Sequence, residues 1–211
     1  MNFNTTYNPY TIEVITGPMF SGKSQALLER GMRARCYGGV TVHYFKPSLD
    51  VRTDTISSRD GFQAKAILVN KGADLLEHLV VPTEPEMVII DEAQFFDDSI
   101  IVAVQVLKRR GFNVVIAGLG LDYRRNPFGP MGELMAISDT PVVRKYSVCT
   151  VLGCYEDGIY TQRLRNDLPD SAYSPTTIVD GVDGSITYTS RCEKHHEIPD
   201  YSEYLLKLLL K

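Results

Sequence analysis

The eight residues at positions 17–24 carry the clearest chemical pattern of the chain. They read Gly17-Pro18-Met19-Phe20-Ser21-Gly22-Lys23-Ser24 and fit G-x-x-x-x-G-K-[ST]. In a loop of this kind the backbone N–H groups and the lysine hold phosphate oxygens, and the last hydroxyl binds Mg²⁺. The alternative is a chance match in a glycine-containing turn. The β-branched run Thr11–Thr16 and the helical pattern Ser24–Cys36 flank the loop. They favour a phosphate site, because a helix N-terminus attracts anions.

A pair of acids, Asp91 and Glu92, directly follows the apolar run Met87–Ile90. In a phosphate-loop fold an acid at the carboxyl end of a core strand completes the Mg²⁺ site, and we predict this role for Asp91. Glu92 is then the candidate general base, which accepts a proton from an attacking hydroxyl. The alternative is that the two acids only end a strand and cap the next helix. Their occurrence together with the loop at 17–24 favours the catalytic interpretation.

Two pairs of potential metal ligands lie near the C-terminus. Cys149 and Cys154 are separated by four residues, and Cys192 and His195 by two. Three thiolates and one imidazole are a typical ligand set of tetrahedral structural Zn²⁺ sites, and such a metal also stabilises a small module with few apolar residues. His196 is an alternative fourth ligand. Three unrelated buried cysteines are the alternative to a metal site.

These groups need a scaffold, and strand and helix patterns alternate from Thr11 to about Lys145. The predicted strands are Thr11–Thr16, Val40–Lys46, Ala66–Val69, Met87–Ile90 and Asn113–Ala117, and the predicted helices are Ser24–Cys36, Asp74–Val80 and Ser99–Arg110. Continuous apolar strands that alternate with helices indicate an α/β fold, in which a parallel sheet is covered by helices on both faces. The polar stretch 48–65 predicts a loop or hairpin.

The residue pattern changes near Tyr146, where turn residues and short β-like runs replace the alternation. We therefore predict an α/β domain at 1–145, with a flexible tail at 1–10, and a small metal-binding domain at 146–211. The second domain is predicted to end in a helix over Asp200–Lys211.

Charge and composition limit the classes of partner that we expect for this protein. The 211 residues include 26 acidic and 22 basic side chains, for a formal net charge of −4. Because proteins that follow a nucleic-acid backbone need a basic face, we expect no nucleic-acid partner. The polar N-terminus lacks a signal-peptide pattern, and no apolar run is long enough to span a membrane. The expectation is a soluble, cytoplasmic protein without a membrane partner.

Five motifs now occur in one order: the loop at 17–24, LDVR at 49–52, DEAQFF at 91–96, GLDYRRNPFGP at 120–130 and TQRL at 161–164. In this combination the chain closely resembles the type II thymidine kinases over residues 11–196. The resemblance implies a RecA-like P-loop domain and a zinc-binding lasso domain. It also implies ATP and Mg²⁺ as cofactors, thymidine or deoxyuridine as substrate, dTTP as feedback inhibitor, and a homotetramer or homodimer.

The resemblance also implies roles for individual residues. Glu92 matches the general base, and Gly17 to Ser24 match the phosphate loop, with Ser24 and Asp91 at Mg²⁺. Arg52, Asp91 and Gln94 match further residues of the nucleotide site. The residues that match the nucleoside site are Met19, Asp50, Phe95, Leu119, Tyr123, Phe128, Thr161, Ile178 and Tyr188. Of these, Tyr188 keeps the spacing of the family to Cys192. The structural zinc ligands are Cys149, Cys154, Cys192 and His195.

Three segments depart from the pattern of the family. The first cysteine pair has four intervening residues where most members have two, Val179–Thr187 is altered or extended, and Gly120-Leu121 stand where relatives often show Asp and a polar or small residue. A second function remains open at this point, because DEAQ also resembles a helicase motif and a zinc module can bind DNA. That alternative is a nucleic-acid-dependent ATPase. Its disadvantage is that such motors usually have two ATPase domains and a basic track.

Overall fold

The computed structural model describes residues 10–49, 54–58, 60–177 and 185–210. They form two compact units. The first comprises the described parts of Met1–Thr16, Lys23–Gly118 and Gly129–Val143, and the second comprises Gly17–Gly22, Leu119–Phe128 and the described part of Arg144–Lys211. Two loops from within residues 1–145, 17–22 and 119–128, therefore belong to the second unit. The two units are groups of residues in contact, whereas the predicted domains 1–145 and 146–211 are continuous segments of the chain. The domain boundary near Tyr146 therefore stays a prediction.

The first unit is built on a six-stranded sheet with the order β5-β2-β6-β7-β1-β8. The six strands are β1 (Ile12–Thr16), β2 (Thr41–Pro47), β5 (Ile67–Val69), β6 (Glu86–Ile90), β7 (Phe112–Gly118) and β8 (Val143–Arg144), of which β8 ends on the first residue of the second unit. Two further strands, β3 (Thr55–Ser57) and β4 (Gln63–Lys65), form a separate pair. The helices of the first unit are α1 (Lys23–Gly38), α2 (Leu75–His78), α3 (Ser99–Arg110) and α4 (Met131–Ala136). Strands β5, β2, β6, β7 and β1 pair in parallel. The predicted parallel α/β fold is confirmed, and β7 lies between β1 and β6.

The sheet carries an apolar core on each face, because successive side chains of a strand point to opposite sides. In β1, Val14 belongs to the core shared with α2, α3 and α4, whereas Ile15 belongs to the core shared with α1. In β6, Ile90 and Ile89 divide in the same way. Helices therefore cover both faces, as predicted.

Two local predictions differ in outcome. Helix α3 begins and ends where the sequence indicates, and Gly111 stops it in the left-handed conformation with φ 105°. The helix predicted over Asp74–Val80 is wrong in extent, because a 3-10 turn at Gly72–Asp74 is followed by only four α-helical residues. It ends where Leu79 turns extended and buries its side chain in the core. The stretch 48–65 contains the antiparallel hairpin β3–β4.

The 3-10 turn packs closely on α3 through a residue without a side chain. A Cβ atom at Gly72 would lie far inside van der Waals distance of the backbone N and Cα atoms of Ile100. We expect Gly72→Ala to lower the free energy of unfolding by about 1–3 kcal/mol, because overpacking forces backbone shifts. The control is Gly132→Ala in α4, where a Cβ would meet nothing within 4 Å. Urea denaturation measures both, and equal stability of the two variants would contradict the prediction.

The second unit is mainly antiparallel. Its strands are β9 (Ser147–Val148), β10 (Asp157–Gly158), β11 (Tyr160–Arg165), β12 (Leu168–Pro169) and β13 (Ile186–Arg191), and its helix is α5 (Tyr201–Leu209). Strand β11 is the centre of a three-stranded sheet between β12 and β13, and β9 pairs with β10. The predicted C-terminal helix is confirmed, and Tyr204 of this helix packs edge-on against Tyr173.

None of the helices in the described ranges has the length and apolar character needed to cross a bilayer.

Candidate active site

In the first unit, the start of α1 and the end of β6 bring two predicted residues together. Helix α1 begins at Lys23. The hydroxyl of the next residue, Ser24, donates a hydrogen bond of 2.9 Å to Oδ2 of Asp91. Asp91 follows β6 and is held there by its backbone N–H, which donates to the carbonyl oxygen of Phe45 in β2. The parallel sheet thus places a hydroxyl and a buried carboxylate at one point of its carboxyl edge.

Burial shifts the pKa values of the ionisable groups at this edge of the sheet. Burial raises the pKa of Asp91 to about 7, and the neighbouring Glu92 carboxylate adds to this rise. Burial also lowers the pKa of Lys23, against the opposing effect of the two carboxylates. A divalent cation would compensate the charge of the buried Asp91 and of its half-buried neighbour Glu92, and carboxylate and hydroxyl oxygens are the ligands that Mg²⁺ prefers. The donor set therefore fits Mg²⁺, with Ser24 and Asp91 as the residues that would hold it.

Glu92 occupies an unusual backbone conformation. Its φ and ψ angles are 53° and 38°, in the left-handed region that residues other than glycine rarely adopt. A 3-10 turn over Ala93–Phe95 follows, and within it the side-chain amide of Gln94 donates a hydrogen bond of 2.6 Å to Oε2 of Glu92. Gln94 is itself buried. Backbone strain of this kind concentrates at functional sites, so the conformation supports a catalytic role for Glu92. Phe95, predicted beside the nucleoside, is half-buried in the same turn.

In the second unit, the loop at 17–22 contains residues in the left-handed backbone conformation. Phe20 and Gly22 have positive φ angles of 67° and 81°. Gly17 allows close packing, since a Cβ there would lie 2.8 Å from Oγ of Ser21 and still closer to the carbonyl oxygen of Lys145. Among the described residues, the Ser21 hydroxyl is buried without a hydrogen-bond partner. A buried hydroxyl needs a partner, and a phosphate oxygen would supply one.

The middle of this loop is attached to the three-stranded sheet. The backbone N–H of Met19 donates to Oγ1 of Thr161 at 2.9 Å, and the hydroxyl of Ser190 donates to the carbonyl oxygen of Met19 at 2.8 Å. Thr161 pairs with Ser190 across β11 and β13, and two residues along, Arg163 pairs with Tyr188. Because side chains two residues apart lie on one face of a strand, Tyr188 shares the face of Thr161. The Met19 backbone thus contacts Thr161, and Tyr188 lies on the same face of the sheet as Thr161.

The loop 119–128 holds three more predicted nucleoside contacts. Its shape is fixed by Asp122, whose carboxylate accepts hydrogen bonds from the backbone N–H groups of Arg124 and Asn126. The predicted contacts in this loop are Leu119, Tyr123 and Phe128, of which the first two are buried and the third is half-buried. The hydroxyl of Tyr123 lies 2.9 and 3.0 Å from the carbonyl oxygens of Ser171 and Ser174, to which it donates.

The predicted metal ligands also converge. The thiol sulfurs of Cys149, Cys154 and Cys192 and a ring nitrogen of His195 all lie within 4.8 Å of one another. Sulfur ligands at about 2.3 Å from Zn²⁺ are about 3.8 Å apart in a tetrahedron, so the cluster fits this metal. Burial raises the pKa of the Cys149 thiol, but hydrogen bonds from the backbone of Val151 and Cys192 and from His195 outweigh it and bring the pKa to about 6. A readily formed thiolate suits a metal ligand.

His196 is not part of this cluster. Its Nε2 lies 3.2 Å from the carbonyl oxygen of Thr161, and its Nδ1 accepts a hydrogen bond from Arg125 at 3.2 Å. Burial and the Arg125 charge lower the pKa of His196 to about 4. Both ring nitrogens are therefore used by protein groups, which leaves His195 as the ligand that geometry favours.

Three predicted site residues, Asp50, Arg52 and Ile178, lie outside the described residues. Conversely, sequence reasoning missed Arg163, which is fully buried in β11, and its partner Asp170. The TQRL motif contained Arg163, but an arginine in a short strand gives no local signal that it is buried.

Comparison with known proteins agrees with the motifs. The family model described as "Thymidine kinase" matches residues 10–196. A protein named "Thymidine kinase" from Mycoplasmoides gallisepticum is 36% identical over 201 residues, which cover 94% of this chain and 86% of that protein. Among solved structures, the genome packaging NTPase B204 from Sulfolobus turreted icosahedral virus 2, in complex with ATP-gammaS, is similar with a TM-score of 0.40 and 16% identity, covering 63% of this chain and 73% of that one. The family match spans both units, so the chain belongs to the thymidine kinase family.

Proposed function

We propose that this protein transfers the γ-phosphate of ATP to the 5′-hydroxyl of thymidine, and also of deoxyuridine, to give the 5′-monophosphate. The observation that carries the proposal is the pairing of Ser24 with the buried Asp91, next to the strained Glu92, in a chain of this family. These are the groups that phosphoryl transfer requires: a phosphate loop, a metal site and a base.

Each group has a proposed task. The backbone N–H groups of the loop Gly17–Gly22 and the ammonium of Lys23 bind the phosphates of ATP and stabilise the charge that develops in the transition state. Glu92 accepts the proton of the 5′-hydroxyl as the hydroxyl oxygen bonds to the γ-phosphorus and the bond from this phosphorus to the β,γ-bridging oxygen breaks, which releases ADP. Gln94 orients the Glu92 carboxylate through the 2.6 Å hydrogen bond. Positioning accounts for most of the catalysis in reactions of this class.

Two metal ions are proposed. Mg²⁺, held by Ser24 and Asp91, would neutralise charge on the β- and γ-phosphates. Zn²⁺, held by Cys149, Cys154, Cys192 and His195, would have a structural role only, because four protein ligands close its coordination.

Aromatic and apolar side chains are proposed to enclose the nucleoside. They are Met19, Phe95, Leu119, Tyr123, Phe128 and Tyr188, with Thr161 as a polar contact. Pockets of this composition exclude water, and a few polar groups in them fix the orientation of the ligand. By resemblance to the family we further propose inhibition by dTTP and assembly into a homodimer or homotetramer, in the cytoplasm.

The test is transfer of labelled phosphate from ATP, with Mg²⁺ present, to thymidine, deoxyuridine, deoxycytidine and deoxyadenosine. We expect monophosphates of the first two nucleosides only. The opposite result is ATP hydrolysis that single-stranded DNA stimulates and no phosphorylated nucleoside, which would establish the nucleic-acid-dependent ATPase instead. The family match disfavours that alternative.

The proposed Mg²⁺ site gives a separate prediction. Ser24→Ala removes the hydroxyl that contacts Asp91, so the Mg²⁺ concentration for half-maximal activity should rise on the order of ten- to hundredfold. Ser24→Thr is the matched control, because it keeps a hydroxyl at this position of the motif. Activity titrations with Mg²⁺ measure both variants. An unchanged Mg²⁺ requirement in Ser24→Ala would exclude Ser24 from the site.

A further inference from the structure

A stretch of irregular backbone in the second unit, residues 171–176, is held by side chains instead of by neighbouring strands. We call it the pinned segment. Tyr123, Arg124 and Arg163 donate hydrogen bonds to its carbonyl groups. The acceptors are the carbonyl oxygens of Ser171, Ala172, Ser174, Pro175 and Thr176. Irregular backbone that is bonded at so many points is held in one conformation.

Arg163 is the fully buried donor of this set, and it contacts two carbonyl groups of the pinned segment. It is fully buried, and its Nη1 donates to the carbonyl oxygens of Pro175 and Thr176 at 2.7 and 3.1 Å. Its Nε donates to Oδ2 of Asp170 at 2.8 Å. The guanidinium carbon lies 3.6 Å from the centre of the Tyr123 ring, so a cation–π contact accompanies the hydrogen bonds. Among the described residues, Nη2 is buried without a hydrogen-bond partner.

Stability alone does not explain this arrangement. Arg163 and Asp170 are 0% and 3% exposed, and the desolvation of such a pair offsets much of its Coulomb attraction. Apolar residues of similar volume are often equally stabilising at such positions. What the apolar residues lack is the fork of fixed N–H donors, which sets the position of two carbonyl groups at once.

The location of Arg163 connects the pinned segment with the proposed nucleoside contacts. In the β11–β13 register Arg163 is directly opposite Tyr188, and Thr161 lies on the same face two residues away. The Tyr123 ring, a third proposed contact, packs against the guanidinium. Arg163 therefore contacts one side of the nucleoside-binding region and the backbone of the pinned segment.

We propose that Arg163 is a positioning residue for the nucleoside: it fixes the pinned segment so that its backbone forms one preset wall of the thymidine site. The inference rests on the proposed function. In this assignment Arg163 acts through the pinned segment and not on the reacting atoms, so its effect is on thymidine binding and not on ATP binding.

The test must separate position from stability. Arg163→Met alone leaves the buried Asp170 carboxylate with only the partly exposed Arg165 as a counter-charge and can prevent folding. The double variant Arg163→Met/Asp170→Leu removes both charges and should keep the wild-type Tm and zinc content. We expect its KM for thymidine to rise about ten- to hundredfold, because the binding wall is displaced, while KM for ATP stays within about twofold.

Two further variants complete the series. Arg163→Lys keeps the charge without the fork and should rescue only part of the rise in KM. Arg165→Met is the control, since Arg165 pairs with the same Asp170 carboxylate but is 38% exposed. Its KM for thymidine should stay close to that of the wild type. Hydrogen exchange gives a readout without activity: amides of the pinned segment should exchange faster in the double variant than in the control.

The outcomes are distinguishable. A folded double variant whose KM for thymidine equals that of the wild type, with unchanged exchange in the pinned segment, would overturn the positioning role and leave the proposed function intact. A wild-type enzyme that phosphorylates no thymidine would overturn the proposed function and, with it, this assignment.

Discussion

Replacing Glu92 with glutamine is expected to reduce kcat by about 10²–10⁴-fold, because the substitution removes the carboxylate that would accept the proton. The shape of the side chain is kept. Glutamine can still accept the hydrogen bond from Gln94 through its amide oxygen. The Tm and the binding of ATP should therefore change little. The measurement is steady-state phosphorylation of thymidine together with a thermal unfolding curve. Glu133→Gln on the exposed face of α4 is the control and should leave kcat unaltered.

A second substitution at the same position uses the backbone. Glu92→Gly also lacks the base, but glycine adopts the left-handed conformation at φ 53° without strain. We expect it to lose activity to a similar extent and to be about 1 kcal/mol more stable than Glu92→Ala, which lacks the same carboxylate but keeps a Cβ in the strained conformation. Wild-type turnover in Glu92→Gln would remove Glu92 as the base, and equal stability of Glu92→Gly and Glu92→Ala would show that this backbone conformation stores no strain.

The other large effect is expected from loss of the metal cluster. Purified protein should contain about one Zn²⁺ per chain, and Cys192→Ser should contain almost none, because a closed tetrahedral site needs all of its ligands. Since metal-binding free energy contributes directly to folding, Cys192→Ser should unfold at a clearly lower temperature and lose activity. Metal analysis and thermal unfolding measure these effects.

Two controls make this zinc prediction specific. Cys36 is exposed on α1, so Cys36→Ser should keep the metal and the Tm. His195→Ala should lose zinc, whereas His196→Ala should keep it, because the ring of His196 is bonded to Arg125 and the Thr161 carbonyl. Zinc at one equivalent in Cys192→Ser would show that the cluster is not the metal site.

Local patterns account for most of what the sequence predicted. The phosphate loop is a contiguous run, and Asp91 follows directly on an apolar strand, so each could be found without knowledge of the fold. The cysteine pairs could be found in the same way, because the members of each pair are close in sequence. The α/β class followed from periodicity, and only where tertiary packing opposed it, at the buried and extended Leu79, did a predicted helix end early.

Features that depend on distant contacts could not be predicted in this way. Spacing alone allowed either His195 or His196 as the fourth ligand, and the choice depends on a hydrogen bond to Arg125, 71 residues away in sequence. The burial of Arg163 depends on backbone carbonyls of a segment that has no periodic pattern. The strained backbone of Glu92 likewise has no signal in residue types, because strain reflects what the surrounding fold imposes.

The order of the sheet also limits how the active site can vary. Strand β7 separates β1 from β6, so the starting points of the phosphate loop and the acidic pair are two strand spacings apart, about 9.6 Å. The intervening strand ends at Gly118, where a Cβ would lie 2.7 Å from the Gln94 side-chain oxygen and 2.6 Å from the sulfur of Met131. Strand spacing is set by hydrogen bonds and cannot be tuned in small steps. The distance between the ends of β1 and β6 is therefore fixed by the sheet, and a larger residue at position 118 would displace Gln94, which is hydrogen-bonded to Glu92.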